Sequence, residues 1–129
     1  MYIILCLDDN NGLAFNHRRQ SQDRIVAEDI RKTVGEKKLW ITDYSRKLFQ
    51  AVSNLEISEN PKEEAKKGEY VFQELETLDT DDEQIEQFII YRWNRVYPAD
   101  VSVEIGAEWK LTETEEFSGF SHEKIWQVR

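Results

Sequence analysis

The residues best suited to chemistry crowd together near the start of the chain. Asp8, Asp9, Asn10 and Asn11 stand side by side, and Asn16, His17, Arg18, Arg19, Gln20, Ser21 and Arg24 follow closely. Arginine forks bind phosphate or carboxylate through paired N–H donors. Arg18, Arg19 and Arg24 lead into a predicted helix start, where unpaired backbone N–H groups also favour anions. A phosphate- or carboxylate-binding loop is therefore one reading. Asp8, Asp9 and His17 beside those arginines would also suit an enzyme acting on phosphate esters. A plainer reading uses the same residues structurally: Arg18, Arg19 and Arg24 pair with Asp8, Asp9 and Asp23 and pin the loop.

Other reactive residues fall in poorer settings. His17 has no second ligand at metal spacing. His122 adjoins Ser121 and Glu123, but sequence neighbours rarely face one another as a catalytic triad must. Thr80-Asp81-Asp82-Glu83 has the form of a helix capping box, with acids where the helix dipole favours them. Cys6, the single cysteine, sits in an apolar run and reads as a small core residue. Trp40, Trp93, Trp109 and Trp126 lie in separate elements, as core aromatics do.

The elements that would hold these residues are legible from patterning. Tyr2–Leu7 is continuously apolar, which suits a strand covered on both faces. The turn formers of Asp8–Gly12 must end it. Leu13–Gln20 reads as an ordered loop, too polar for a strand. Ser21 can cap a helix from Arg24, with Ile25, Val26, Ile30 and Val34 near helical spacing and Gly35 as its stop. Leu39–Thr42 is a short strand. Asp43 then caps a helix running to Val52, with Tyr44, Leu48 and Val52 on one face. Leu55–Ile57 suits another strand, and Ser58–Gly68 a loop. Tyr70–Leu75 reads as a strand. Ile85, Phe88, Ile89, Trp93 and Val96 predict a helix that Pro98 terminates. Val101–Ile105 and Lys124–Val128 read as late strands. Strands separated by helices predict an α/β fold with a single mixed, mostly parallel sheet flanked by helices.

Bulk properties bound the function. The length of 129 residues suits one domain spanning 1–129. A formal net charge of −9 repels phosphate backbones and disfavours nucleic acid as a partner. One cysteine allows no internal disulfide, which fits a reducing, cytoplasmic setting. The apolar start is too short for a signal peptide or a membrane span.

Taken together, these stretches resemble the dihydrofolate reductase family. Tyr2–Leu7 with Asp8-Asp9-Asn10-Asn11-Gly12-Leu13 is similar to the family's first strand and its x-Asp-x-Asn-x-Gly-Ile loop. Ala27-Glu28-Asp29-Ile30 resembles the start of its first helix, where an acid binds the pteridine; the resemblance thus marks Asp29. Leu39–Thr42 and the predicted helix Asp43–Val52 are similar to its next strand and cofactor-side helix. Tyr70–Phe72, a predicted helix over Asp81–Val96 and Val101–Ile105 resemble its late strand–helix–strand, and Trp109, Phe117 and Lys124–Arg129 its closing hairpin.

The departures fall on cofactor chemistry. The family holds the cofactor phosphate with Gly-Arg-x-Thr, where this chain has Thr42-Asp43-Tyr44-Ser45. It follows its late strand with Gly-Gly, where this chain has Gln73-Glu74. No nicotinamide cofactor, and no other cofactor or metal, is expected. The run Asn16–Arg24 also resembles short bacterial proteins labelled ribonuclease Z. That enzyme's two zincs need a His-x-His-x-Asp-His motif, and the two histidines here, His17 and His122, cannot supply it.

The functional reading is a non-catalytic binding or regulatory module with an arginine-rich, anion-binding loop. Its candidate ligand residues are Asp8, Asp9, Asn11, Asn16, His17, Arg18, Arg19, Gln20, Arg24 and Asp29. The expected partner is a small anion or a protein, including a second copy of the chain, and no membrane. The alternative is a diverged reductase-like or phosphate-ester-acting enzyme.

Overall fold

The computed structural model describes residues 1–19, 24–93, 96–106, 109–116 and 122–128. Strand β1 (Tyr2–Leu7) sits at the centre of a seven-stranded sheet. Its side chains alternate between two apolar clusters: Ile3, Leu5 and Leu7 face one, and Ile4 the other. A continuous apolar run is what a strand buried on both faces requires.

The polar stretch expected to be a loop forms a hairpin instead. β2 (Gly12–Phe15) and β3 (Arg18–Arg19) pair antiparallel through Ala14↔Arg19 and Phe15↔Arg18. Its two-residue turn puts Asn16 at φ 52° and His17 at φ 60°. Two successive left-handed residues match the right-handed twist of a hairpin, and Asn and His adopt that conformation more readily than most side chains. Asn-His between Leu-Ala-Phe and Arg-Arg was the available signal for this turn.

Helix α1 (Arg24–Val34) follows as expected and buries Val26, Ile30 and Val34 at i, i+4 and i+8. Gly35, at φ 60°, stops it by donating its N–H to the Arg31 carbonyl at 3.0 Å. The proposed cap Ser21 lies outside the described residues. β4 (Leu39–Ile41) leads into Asp43–Phe49, which is a 3-10 helix rather than the expected α-helix. Its buried residues are Ser45 and Phe49, while Tyr44 is exposed. Of the expected stripe Tyr44, Leu48 and Val52, only Val52 is fully buried.

β5 (Leu55–Ile57), the short helix α2 (Pro61–Glu64) and β6 (Tyr70–Phe72) come next. α2 breaks the expected loop, and β6 ends three residues before the expected Leu75.

The largest correction concerns the predicted helix over Ile85–Val96. Gln87–Trp93 is strand β7, paired parallel with β1 from Tyr2↔Gln87 to Leu7↔Arg92. Phe88 and Ile90 join one apolar cluster, and Ile89 and Tyr91 the other. The period is two. Phe88-Ile89 fits helical and strand patterns equally, and a short apolar run cannot be assigned by periodicity alone. The Thr80–Glu83 box caps no helix; the Thr80 hydroxyl donates to the Glu104 carbonyl at 3.2 Å.

β8 is confined to Val101–Ser102 and joins the hairpin in a small sheet of order β3-β2-β8. β9 (Lys110–Glu116), which patterning missed, and β10 (His122–Val128) close the main sheet. Its order is β5-β4-β6-β1-β7-β10-β9, parallel up to β7 and antiparallel beyond it. The strand ends after β1, β4, β5 and β6 gather on one side, where ligands bind in open α/β sheets. Among the described residues no helix is long and apolar enough to cross a membrane.

Candidate functional site

The turn after β1 is organised by Asp8, which is fully buried. Asp8 Oδ1 accepts the backbone N–H groups of Asn10 at 2.9 Å and Gly12 at 2.8 Å. Its Oδ2 accepts the Tyr97 N–H at 3.0 Å. The Asp8 carbonyl and Asn11 Oδ1 both accept from Arg92 Nη1, at 2.9 and 2.8 Å. Asn11 holds its place at φ 59°. Asp8 is thus an anchor among backbone donors, and Arg92, which the sequence did not single out, ties β7 to the turn.

The hairpin delivers Arg19 to the end of β6. Arg19 Nε and Nη2 donate to Glu74 Oε2 and Oε1 at 2.6 and 3.0 Å. Ser45 Oγ, on the 3-10 helix, donates to the same Glu74 Oε1 at 2.5 Å. The guanidinium lies over the Tyr44 ring at 4.5 Å, and the Arg19 N–H reaches the Tyr44 hydroxyl at 3.3 Å. Glu74 is 8% exposed and Arg19 18%. Burial works to lower the Arg19 pKa, but the hydrogen bond and charge of Glu74 outweigh it and hold the guanidinium more firmly protonated than usual.

Asp29, on α1, accepts the Tyr91 hydroxyl on Oδ2 at 2.5 Å. Tyr91 is fully buried. Burial, then the hydrogen bond to Asp29 and its negative charge, push the phenol well above its ordinary value. Cys6 pairs with Tyr91 across the β1–β7 ladder.

Two depressions flank these groups. A cleft of about 1030 Å³ lies beyond the ends of β4, β5 and β6. Asp43, Glu59, Glu63, Glu74, Glu76 and Asp82 line it, against a single lysine, Lys62. A groove of about 340 Å³ lies between α1 and the 3-10 helix. Ala27, Leu48, Phe49 and Val52 give it an apolar lining, and Arg24, Arg31 and Lys47 supply cations. Glu28, also in the groove, pairs with Arg31 through bonds of 2.5 and 3.0 Å. Among the described residues neither Arg24 nor Lys47 has a salt-bridge partner.

The candidate residues therefore separate. Asp8 and Asn11 build the turn, and Asp9 is exposed. Asn16 and His17 form the exposed hairpin tip, where the Asn16 N–H meets Asp100 Oδ2 at 3.0 Å. Arg18 is exposed beside them. Arg19 binds Glu74 rather than Asp8, Asp9 or Asp23, and Arg24 lines the α1 groove. Gln20 and Asp23 lie outside the described residues. Arg31, Lys47, Ser45 and Tyr91 belong to these sites but carry no motif; only the tertiary pairing selects them.

Among solved structures, the chain matches dihydrofolate reductase from Enterococcus faecalis complexed with NADP(H) and RAB-propyl. The match covers 99% of this chain and 95% of that one, with a TM-score of 0.63 and 10% sequence identity. The fold is that of dihydrofolate reductase. At this identity the likeness is one of fold alone. No family model matches the chain, and no curated protein sequence matches it.

The residues of the dihydrofolate reductase-like fold do not fit a nicotinamide dinucleotide here. Thr42-Asp43-Tyr44-Ser45 places a carboxylate where a cofactor phosphate needs a base. At the end of β6, Gln73 and Glu74 are buried side chains where close approach of a dinucleotide needs glycine. The wider cleft adds further carboxylates, most of them exposed. Among the described residues, no group of three or more His, Cys, Asp or Glu is placed to hold a metal ion.

Proposed function

We propose that the protein is a non-catalytic, cytoplasmic binding module on a dihydrofolate reductase-like scaffold, and that it takes a small organic anion in the groove between α1 and the 3-10 helix. The observation that carries this reading is the placement of Arg24 and Lys47 around an apolar lining, beside the Arg31–Glu28 pair, in a chain of net charge −9. Concentrating cations locally against the overall charge creates a field that a carboxylate or phosphate follows inward. Ala27, Leu48 and Ala51 offer surface to an apolar ligand body. The groove suits an amphipathic anion better than a free inorganic ion, because apolar contact and charge pairing then act together. The expected anion site moves from the loop after β1 to this groove, since Arg19 is already committed to Glu74. Asp43 and Glu74 weigh against nicotinamide chemistry.

The test is thermal stability against a panel of phosphate, nucleotides, pterins and NADPH. A ligand that binds the folded state alone, present at a hundred times its Kd, adds about 2.7 kcal/mol. A pterin or nucleotide carrying a free acid group should stabilise the protein. The charge reversals Arg24→Glu and Lys47→Glu together should abolish that shift. Stabilisation that survives both reversals, stabilisation by none of these anions, or strong stabilisation by micromolar NADPH alone would overturn the reading.

A further inference from the structure

The cleft beyond the ends of β4, β5 and β6 shares no lining residue with the anion groove and carries the opposite charge. We propose that it binds an aliphatic polyamine, an extended cation whose ammonium groups pair with carboxylates around the rim while one N–H donates to the side-chain oxygen of Gln73 at the end of β6. Two independent observations support this.

The first is a supply of uncommitted carboxylates. Asp43 and Glu74 are taken, by Arg46 at 2.8 Å and by Arg19. Glu59, Glu63 and Glu76 also line the cleft, and among the described residues none of the three has an ion-pair partner. They come from the loop after β5, from helix α2 and from the segment after β6, and the parallel order β5-β4-β6 brings those places to one side of the sheet. Among the described residues no group of three or more His, Cys, Asp or Glu is placed to hold a metal ion, so these carboxylates do not converge on one point. Spread carboxylates suit spread charges. Exposed Ile57 and half-buried Leu75 lie between them and offer apolar surface to methylene stretches. A single exposed ion pair is weak, but several carried on one ligand act together.

The second is a buried acceptor. Gln73 is 7% exposed and lines the same cleft. Its Nε2 donates to the Glu76 carbonyl at 2.6 Å, which fixes the orientation of the amide. Among the described residues nothing donates to its Oε1. A buried amide oxygen without a donor costs free energy that a ligand N–H recovers. A bare metal cation has no N–H to give, and an anion would meet the carboxylates. The orphaned oxygen and the rim charges therefore select one chemistry, a cation bearing N–H groups. The cleft volume of about 1030 Å³ is on the scale of a small-molecule site.

Calorimetric titration of the full chain with spermidine, at about 0.15 M salt, tests the assignment. Spermidine should bind with a Kd below about 1 mM. Spermidine methylated to a quaternary ammonium at every nitrogen keeps charge and spacing but has no N–H. It should bind about tenfold more weakly, and this arm does not depend on any variant folding. Glu63→Gln combined with Glu76→Gln should weaken spermidine binding about tenfold. Glu36→Gln combined with Glu104→Gln removes the same charge from exposed positions outside the cleft, and should change binding by less than about twofold. Magnesium at equal ionic strength should not displace spermidine, because the carboxylates do not converge. No spermidine binding, equal binding of the methylated form, equal weakening by the two variant pairs, or displacement by magnesium would each overturn the proposal. Tighter binding of trilysine, which has the same net charge as spermidine, would overturn it in favour of a basic peptide. None of these readouts involves the anion groove.

Discussion

Asp8 gives the sharpest test of how this turn is built. Its carboxylate is fully buried and accepts three backbone N–H groups, from Asn10, Gly12 and Tyr97. Asp8→Ala leaves all three without that acceptor. Each orphaned donor costs about 1–3 kcal/mol when buried. The Gly12 bond is buried, whereas those of Asn10 and Tyr97 lie where water can partly replace the carboxylate. The expected sum is about 3–5 kcal/mol, a large part of the 5–15 kcal/mol typical of a whole domain. Asp8→Asn has nearly the same shape but only one acceptor oxygen. Oriented one way, it keeps Asn10 and Gly12 and turns an NH2 group toward the Tyr97 N–H. Flipped, it faces the other two donors. At least one bond is lost either way, and the remainder lose their charge, so about 2 kcal/mol is expected. Urea unfolding at neutral pH, read as midpoint and slope, gives both numbers. An Asp8→Asn variant within about 0.5 kcal/mol of wild type would refute the anchor role.

Two further substitutions probe the sheet. Tyr91→Phe removes the hydroxyl donor to Asp29 and should cost about 1–2 kcal/mol near neutral pH. Because burial and Asp29 raise the Tyr91 pKa, its contribution is fully present below the ordinary tyrosine value of 10.0 and is lost as pH rises beyond it. The unfolded chain releases that proton first, so unfolding free energy should decline above pH 10 in wild type and less steeply in Tyr91→Phe; parallel alkaline limbs would contradict this. Ile90→Ala separates the observed strand from the helix that patterning predicts. Ile90 is fully buried, so about 2–4 kcal/mol should be lost in urea unfolding. Ile90 lies off the predicted helical stripe, and a loss under about 1 kcal/mol would favour the helix.

Physical patterning made much of the scaffold legible. The apolar run Tyr2–Leu7 suited a doubly covered strand, which β1 is, and the Asp-Asp-Asn-Asn-Gly turn had to end it. Val26, Ile30 and Val34 with Gly35 defined α1 and its stop. Local chemistry decides such elements, because their burial pattern has one solution. The resemblance of these pieces to a dihydrofolate reductase-like chain identified the fold, which the 0.63 TM-score match supports.

The remainder was decided in three dimensions. Gln87–Trp93 satisfies both helical and strand periods locally, and the parallel ladder to β1 chooses between them by burying Phe88 through Tyr91 on two faces. Arg18, Arg19 and Arg24 are near neighbours in sequence but have three different surroundings. One is exposed, one is bound to Glu74, and one lines a groove with Arg31 and Lys47. Charge type is a property of the residue, and so the sequence by itself determined that this protein carries an arginine cluster in an acidic chain, with carboxylates at Asp43 and Glu74. Which charge meets which is a property of distance. The closure of the Asn16-His17 turn and the sheet's strand order set those distances, and only the tertiary structure decided them.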